Sequence, residues 1–174
     1  KIYVAGAGIR IFTGEGQYLQ TIMSYDEETG NADHIRDVAI DALGNLHVVA
    51  IYSDKYTIKS FTPDGTLINQ WITPIGSEIP LAAPISIEMT PENNLIIAEF
   101  GDNFDRNGRI VICDTQGFFI KDAGQFNEQD YLEKPSDVAI NPANGNIFVV
   151  DAQKARIFEL SPQMDDLINQ WGTY

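Results

Sequence analysis

The sequence is short of the residues that most site chemistry needs. It holds one cysteine, Cys113, so no internal disulfide can form, and within the alternating run RIVIC that residue reads as a small buried hydrophobe. Two histidines, His34 and His47, are too few for a histidine–metal centre within one chain. Lysine and arginine number 11 against 25 acids, a formal net charge of −14. That balance excludes a nucleic-acid backbone as a natural partner and disfavours an anionic membrane. Cations and basic peptides stay allowed, and a soluble, self-repelling surface is the plainest reading. No apolar run approaches the ~18 residues of a membrane span. No stretch keeps a helical period over about ten residues. Gly-x-Ser-x-Gly, His-Glu-x-x-His and a phosphate-binding glycine loop are all missing.

What the chain does have is repetition. DVAI at 37–40 returns at 137–140, and SIEM at 86–89 holds the corresponding place. NLHVVA at 45–50 matches NLIIAE at 94–99 and NIFVVD at 146–151, with KIYVAG at 1–6 as the earliest copy. LINQW at 67–71 recurs letter for letter at 167–171. The period is roughly 50 residues, which suits one four-stranded propeller blade. Within each copy, short runs rich in Ile, Val, Phe and Tyr are separated by Gly, Asn, Asp and Pro turns. The third run of each copy alternates, as in Ile157-Phe158-Glu159-Leu160, while the second is apolar on both faces, as a strand inside a stack should be. One blade cannot bury both of its faces, so the blades must stack. The expectation is an all-β chain of four-stranded antiparallel propeller blades in a single propeller-type domain over 1–174. Its complete blades are 35–73, 84–124 and 135–172, and an incomplete one at 1–22 lacks its innermost strand.

Residues 135–160 carry the pattern best, with Pro135, Asp137, Val138, Ala139, Ile140, Gly145, Asn146, Ile147, Val149, Asp151, Arg156 and Ile157. This pattern resembles the NHL-repeat family of β-propellers, with weaker copies at 35–61 and 84–113. The resemblance covers nearly the whole chain and implies a propeller of about six blades. It is specific for fold and poor for function, since that family includes binding scaffolds, sensors and a few lyases. Fewer than four blades are counted here, so an open or partial propeller is expected, as a fragment of a larger ring or as an arc that another chain completes, with a small four-bladed ring containing one truncated blade as the alternative. Residue 1 already sits in a strand-like run with no signal peptide before it, consistent with a longer natural protein. The compartment stays open, with an extracellular or periplasmic location preferred.

In propellers the loops from strand two to three and from strand four to the next blade share a face. Together with the ends of the second strands, they hold thirteen of the 25 acids here, so a negative, cation-attracting face is expected. Two candidate sites lie on it. In the loop 101–108, Asp102, Asn103, Asp105 and Asn107 offer the closely spaced oxygens that Ca²⁺ takes, without EF-hand spacing. A solvated loop of turn formers is the favoured alternative. Asp37, Asp137, Glu99 and Asp151, with Ser86, fall at strand ends expected to ring a channel mouth, where carboxylates bind a cation or act as acid and base. The favoured alternative is that they hold backbone N–H groups, because the position recurs and repetition marks a structural role. Trp71 and Trp171 read as packing groups.

Three functions follow from this reading. The first is a non-catalytic module for protein–protein binding or assembly, by a protein partner or by self-association through open blade edges. The second is a fragment of a metal-dependent propeller lyase or hydrolase with its site at the channel mouth. The lyases of the resembled family use several histidines on a metal, which this chain lacks. The third is a structural repeat of an extracellular self-assembling polymer.

Overall fold

The computed structural model describes residues 1–102 and 106–172, and every regular element among them is a β-strand. The chain divides into two compact units, one running from Lys1 to Ile72 and the other beginning at Thr73. In the first unit, β1 (Ile2–Val4), β2 (Ile9–Phe12) and β3 (Tyr18–Ile22) form a three-stranded sheet in that order. They are followed by β4 (His34–Ile40), β5 (Leu46–Tyr52), β6 (Lys55–Phe61) and β7 (Leu67–Trp71), the second sheet. The second unit holds β8 (Pro84–Met89), β9 (Leu95–Glu99), β10 (Arg109–Cys113) and β11 (Phe119–Ala123) as the third sheet. Its fourth sheet is β12 (Pro135–Ile140), β13 (Ile147–Asp151), β14 (Arg156–Leu160) and β15 (Leu167–Trp171). All pairings are antiparallel between neighbours in sequence, the up-and-down order of a propeller blade.

Turn chemistry fixes this order. The hairpins β4–β5, β8–β9 and β12–β13 each need one residue at positive φ, supplied by Gly44, Asn93 and Gly145. Each of these turns opens on a side chain, Asp41, Thr90 or Asn141, that accepts a backbone N–H from within the turn. The outer hairpins repeat the device with Thr13, Thr62, Asp114 and Ser161. Gly16, Gly65 and Gly117 take the positive φ in three of these, but in the fourth it falls on Met164 at 58°. There the strain of a side chain in the left-handed region is offset by burial, because Met164 joins the core.

Alternation gives each sheet two faces; within a unit the earlier sheet's trailing face meets the later sheet's leading face, and equivalent faces of the other sheets carry the same names by position in the repeat. In the second unit, the trailing face of the third sheet presents Ile96, Ala98, Ile110 and Ile112. The leading face of the fourth presents Val138, Ile147, Val149, Phe158 and Leu160, and all nine are buried in one cluster. In the first unit, Ile9, Ile11 and Ile22 on the trailing face of the first sheet meet Leu46, Val48, Ala50 and Phe61 of the second. A fully buried side chain of this kind contributes about 1.5–3 kcal/mol, so these stacked faces hold each unit together. Three innermost strands, β4, β8 and β12, carry a bulge just before Asp37, Ser86 and Asp137. Such bulges re-aim a side chain at a sheet margin.

Candidate functional site

The structure brings two of the strand-end residues together and leaves others apart. Ser86 Oγ and Asp137 Oδ1 lie 2.9 Å apart, joining the bulged positions of the two sheets in the second unit. Asp137 Oδ1 also accepts the N–H of Val138, as Asp37 Oδ1 in the first unit accepts that of Val38. Glu99 and Asp151 end equivalent strands, β9 and β13, and both are fully buried. Asp151 accepts backbone N–H groups from Glu133, Lys134, Gln153 and Lys154, so it stitches together the two loops at that end of its sheet. Glu99 accepts from Arg109 Nε at 2.7 Å and from the Ala82 N–H at 2.8 Å, and Arg106 stands 3.3 Å away. Arg109 also bonds Asp122 and the carbonyl of Ile79. Burial is the largest influence on the Glu99 carboxyl and holds its pKa above the ordinary value, against the pull of Arg109, the Ala82 N–H and Arg106.

Of the four loop residues read as oxygen donors for Ca²⁺, Asn103 and Asp105 lie outside the described residues. Asp102 Oδ1 closes the loop by accepting the Arg106 N–H at 2.9 Å, and Asn107 is exposed. The positive charge beside the nearby carboxylate is supplied here by Arg106 and Arg109. Among the described residues, no group of three or more His, Cys, Asp or Glu is placed to hold a metal ion. Nor is any helix long and apolar enough to cross a membrane.

Two polar clusters went unread in the sequence. In the first unit Lys59 and Asp33, both buried, pair at 2.7 Å, and Lys59 Nζ also donates to the carbonyl of Tyr25. The signal for it is weak: a lysine at a strand position filled by Val111 and Phe158 in the third and fourth copies but by Arg10 in the first. The second joins His47 Nδ1 to Ser60 Oγ at 2.8 Å and His47 Nε2 to Asp41 Oδ2 at 3.4 Å. The types are those of a nucleophilic triad, but Ser60 is 1% exposed and cannot meet a substrate.

The histidine cluster sets a pH dependence. Burial, outweighing the pull of Asp41, lowers the His47 pKa below its ordinary 6.5. Below that value the unfolded chain takes up a proton that the folded chain declines, so stability falls as pH drops from 6.5 toward 5. One such group contributes a slope of at most about 1.4 kcal/mol per pH unit. Urea melts between neutral pH and pH 5 should show His47→Gln flattening this slope; an unchanged slope in the variant would remove His47 as its source.

An exposed apolar row lies on the trailing face of the fourth sheet. Val150, Ile157 and Trp171 are direct cross-strand partners there, and Trp171 stacks on Phe148 with ring centroids 6.0 Å apart. They are 38%, 41% and 44% exposed respectively. Their counterparts on the third sheet are Ala98 and Ile110, both wholly buried, and the partly buried Ala123. Ala152, Ala155 and Arg156 complete a groove of about 330 Å³ around the row.

No family model matches the chain, and no curated protein is similar to it in sequence. Solved structures are similar in fold. A Bacteroides caccae protein of unknown function is 18% identical, with 97% of this chain and 56% of that one aligned at a TM-score of 0.61. The β-propeller domain of Cps50 (Swd1) from Myceliophteria thermophila is 11% identical, over 97% of this chain and 50% of that one, at 0.62. A eukaryotic initiation factor is 14% identical, over 97% and 44%, at 0.55. The chain thus spans about half the length of the solved structures it matches. Together with the four-stranded antiparallel sheets, these likenesses give the fold as β-propeller blades and nothing beyond the fold.

Proposed function

We propose that this chain is a non-catalytic, NHL-like propeller module that binds protein, and that the trailing face of its fourth sheet receives the partner. One observation carries the reading. Val150 and Ile157 are exposed at positions whose third-sheet counterparts are fully buried, with Trp171 exposed beside them. An aligned apolar row of this kind marks an interaction surface, and a tryptophan beside it is a frequent energetic anchor. The reading as a metal-dependent lyase or hydrolase has less support. Of its channel-mouth carboxylates Asp37, Glu99, Asp137 and Asp151, Glu99 and Asp151 are buried and already bonded to arginine and backbone donors, and Asp137 is bonded to Ser86.

A photo-crosslinking residue at position 157, expressed in the native source, tests the proposal. The expected result is a covalent adduct with a second polypeptide, lost when Trp171→Asp is added and not seen from a probe at the exposed turn residue Glu92. No polypeptide adduct at 157, or the same adducts at both positions, would overturn it.

A further inference from the structure

We infer that a cavity in the first unit receives an arginine side chain from another polypeptide. The cavity, about 420 Å³, opens between β6, β7 and the loop before β4, with Asp26, Glu27, Thr57, Lys59 and Gln70 in its wall. The second unit holds the same place filled, and so shows which chemistry fits it. Strand register makes Thr57 the counterpart of Arg156, Lys59 that of Phe158 and Gln70 that of Gln170. The bridges Tyr25–Ala32 and Gln125–Tyr131 align the two loops before the inner strands and set Asp26 at the place of Phe126. In the filled copy Phe126 packs on Phe158, with ring centroids 6.1 Å apart. There Arg156 Nη1 donates to Gln170 Oε1 at 2.9 Å, and Gln170 Nε2 donates to Asp130 Oδ1 at 3.0 Å. The first unit keeps the glutamine but has threonine for the arginine and aspartate for the phenylalanine. The space that a guanidinium and a ring occupy in one unit is therefore open in the other.

The open copy retains what a guanidinium needs. Gln70 is half-buried, and among the described residues no group hydrogen-bonds its side-chain amide. Its carbonyl is free to accept as that of Gln170 accepts from Arg156. Asp26 takes both the N–H and the hydroxyl of Thr29 on Oδ1, which leaves Oδ2 for a donor. Charge selects a cation. Lys59 is matched by Asp33 at 2.7 Å and Lys55 by Glu28. Among the described residues no lysine or arginine forms an ion pair with Asp26 or Glu27, so the cavity carries carboxylates in excess. The net charge of −14 draws basic peptides toward it. Arginine suits the place better than lysine, because its planar fork has donors for Gln70 and a carboxylate together, and Ile72 gives its stem an apolar wall. The inference is independent of the docking face proposed above, whose residues lie in the other unit.

Nuclear magnetic resonance of the isotope-labelled chain, titrated with the blocked peptide acetyl-Gly-Arg-Gly-amide, tests this. The expected result is a saturable shift of the Gln70 side-chain amide and the Thr57 backbone amide. The citrulline peptide, which has the same shape and no charge, should bind about tenfold more weakly. Asp26→Asn and Gln70→Leu should each weaken the arginine peptide by about fivefold or more. Thr57→Arg gives the decisive variant, because it fills the cavity from within as Arg156 fills its own. It should abolish peptide binding and shift the Gln70 side-chain amide with no peptide present, and circular dichroism checks that the variant is folded. No saturable shift at millimolar peptide, or equal binding of the citrulline peptide, would overturn the inference. So would a preference for acetyl-Gly-Glu-Gly-amide, which Lys55 and Lys59 would hold, or undiminished binding by folded Thr57→Arg.

Discussion

Arg109→Met lowers the free energy of unfolding by about 3–5 kcal/mol, the cost of breaking one side of a buried ion pair. The reason lies in what the substitution leaves behind. Glu99 is fully buried and would lose its 2.7 Å donor, while Asp122 and the carbonyl of Ile79 would lose theirs. Arg106 remains at 3.3 Å and draws the figure toward the lower end. Glu99→Leu added to Arg109→Met should restore much of the loss, because an apolar pair of similar volume carries no stranded charge. pH gives a second readout. Glu99 already titrates above its ordinary 4.5, so the folded chain holds its proton more tightly than the unfolded one, and stability falls as pH rises through that window. Removing Arg109 widens the window upward. The deficit of Arg109→Met should therefore be smaller at pH 5 than at pH 8 in denaturant melts. A deficit under about 1 kcal/mol that does not change with pH would show the pair behaving like a surface ion pair.

The blades were legible because their signals are local. A hairpin needs a positive φ, and Gly44, Asn93 and Gly145 announce it at matching places in three copies. Met164 shows where that signal ends: nothing in its identity points to a left-handed backbone, which is held by core packing contributed from elsewhere in the second unit. The same limit applies to the acids. Thirteen were read onto one charged face, yet Asp33, Glu99 and Asp151 are buried. Position in a repeat says that a carboxylate stands at a strand end. It does not say whether water, a guanidinium or four amides will meet it, because the partners come from loops whose paths no period fixes. Lys59 and Asp33, 26 residues apart, illustrate this: each looks like surface charge alone, and only the fold makes them a pair. Open blade edges were an expectation from the repeat count, but the exposed row on the fourth sheet needed the register. Val150, Ile157 and Trp171 align because β13, β14 and β15 pair as they do.

Asp151→Ala is expected to cost about 1–3 kcal/mol, since one buried donor, the Lys154 N–H, is left without its acceptor, while the other three amides belong to part-buried or exposed residues that water can reach. Its two oxygens accept the N–H groups of Glu133 and Lys134 from the loop before the fourth sheet, and of Gln153 and Lys154 from the loop after β13. Asp151→Asn keeps one acceptor oxygen and should lose less than half as much. Amide hydrogen exchange makes the argument specific. Those four amides should exchange faster in Asp151→Ala, while amides deep in β9 and β10 keep their protection relative to global unfolding. Equal acceleration everywhere would mean that the substitution acts on the whole unit and that the carboxylate is no local staple. The loop that Asp151 holds also shapes the docking groove, through Ala152 and Ala155 beside Val150, Ile157 and Trp171. If the proposed docking face is right, loosening it should weaken partner binding at temperatures well below the melt, even though Asp151 itself is buried beneath that face.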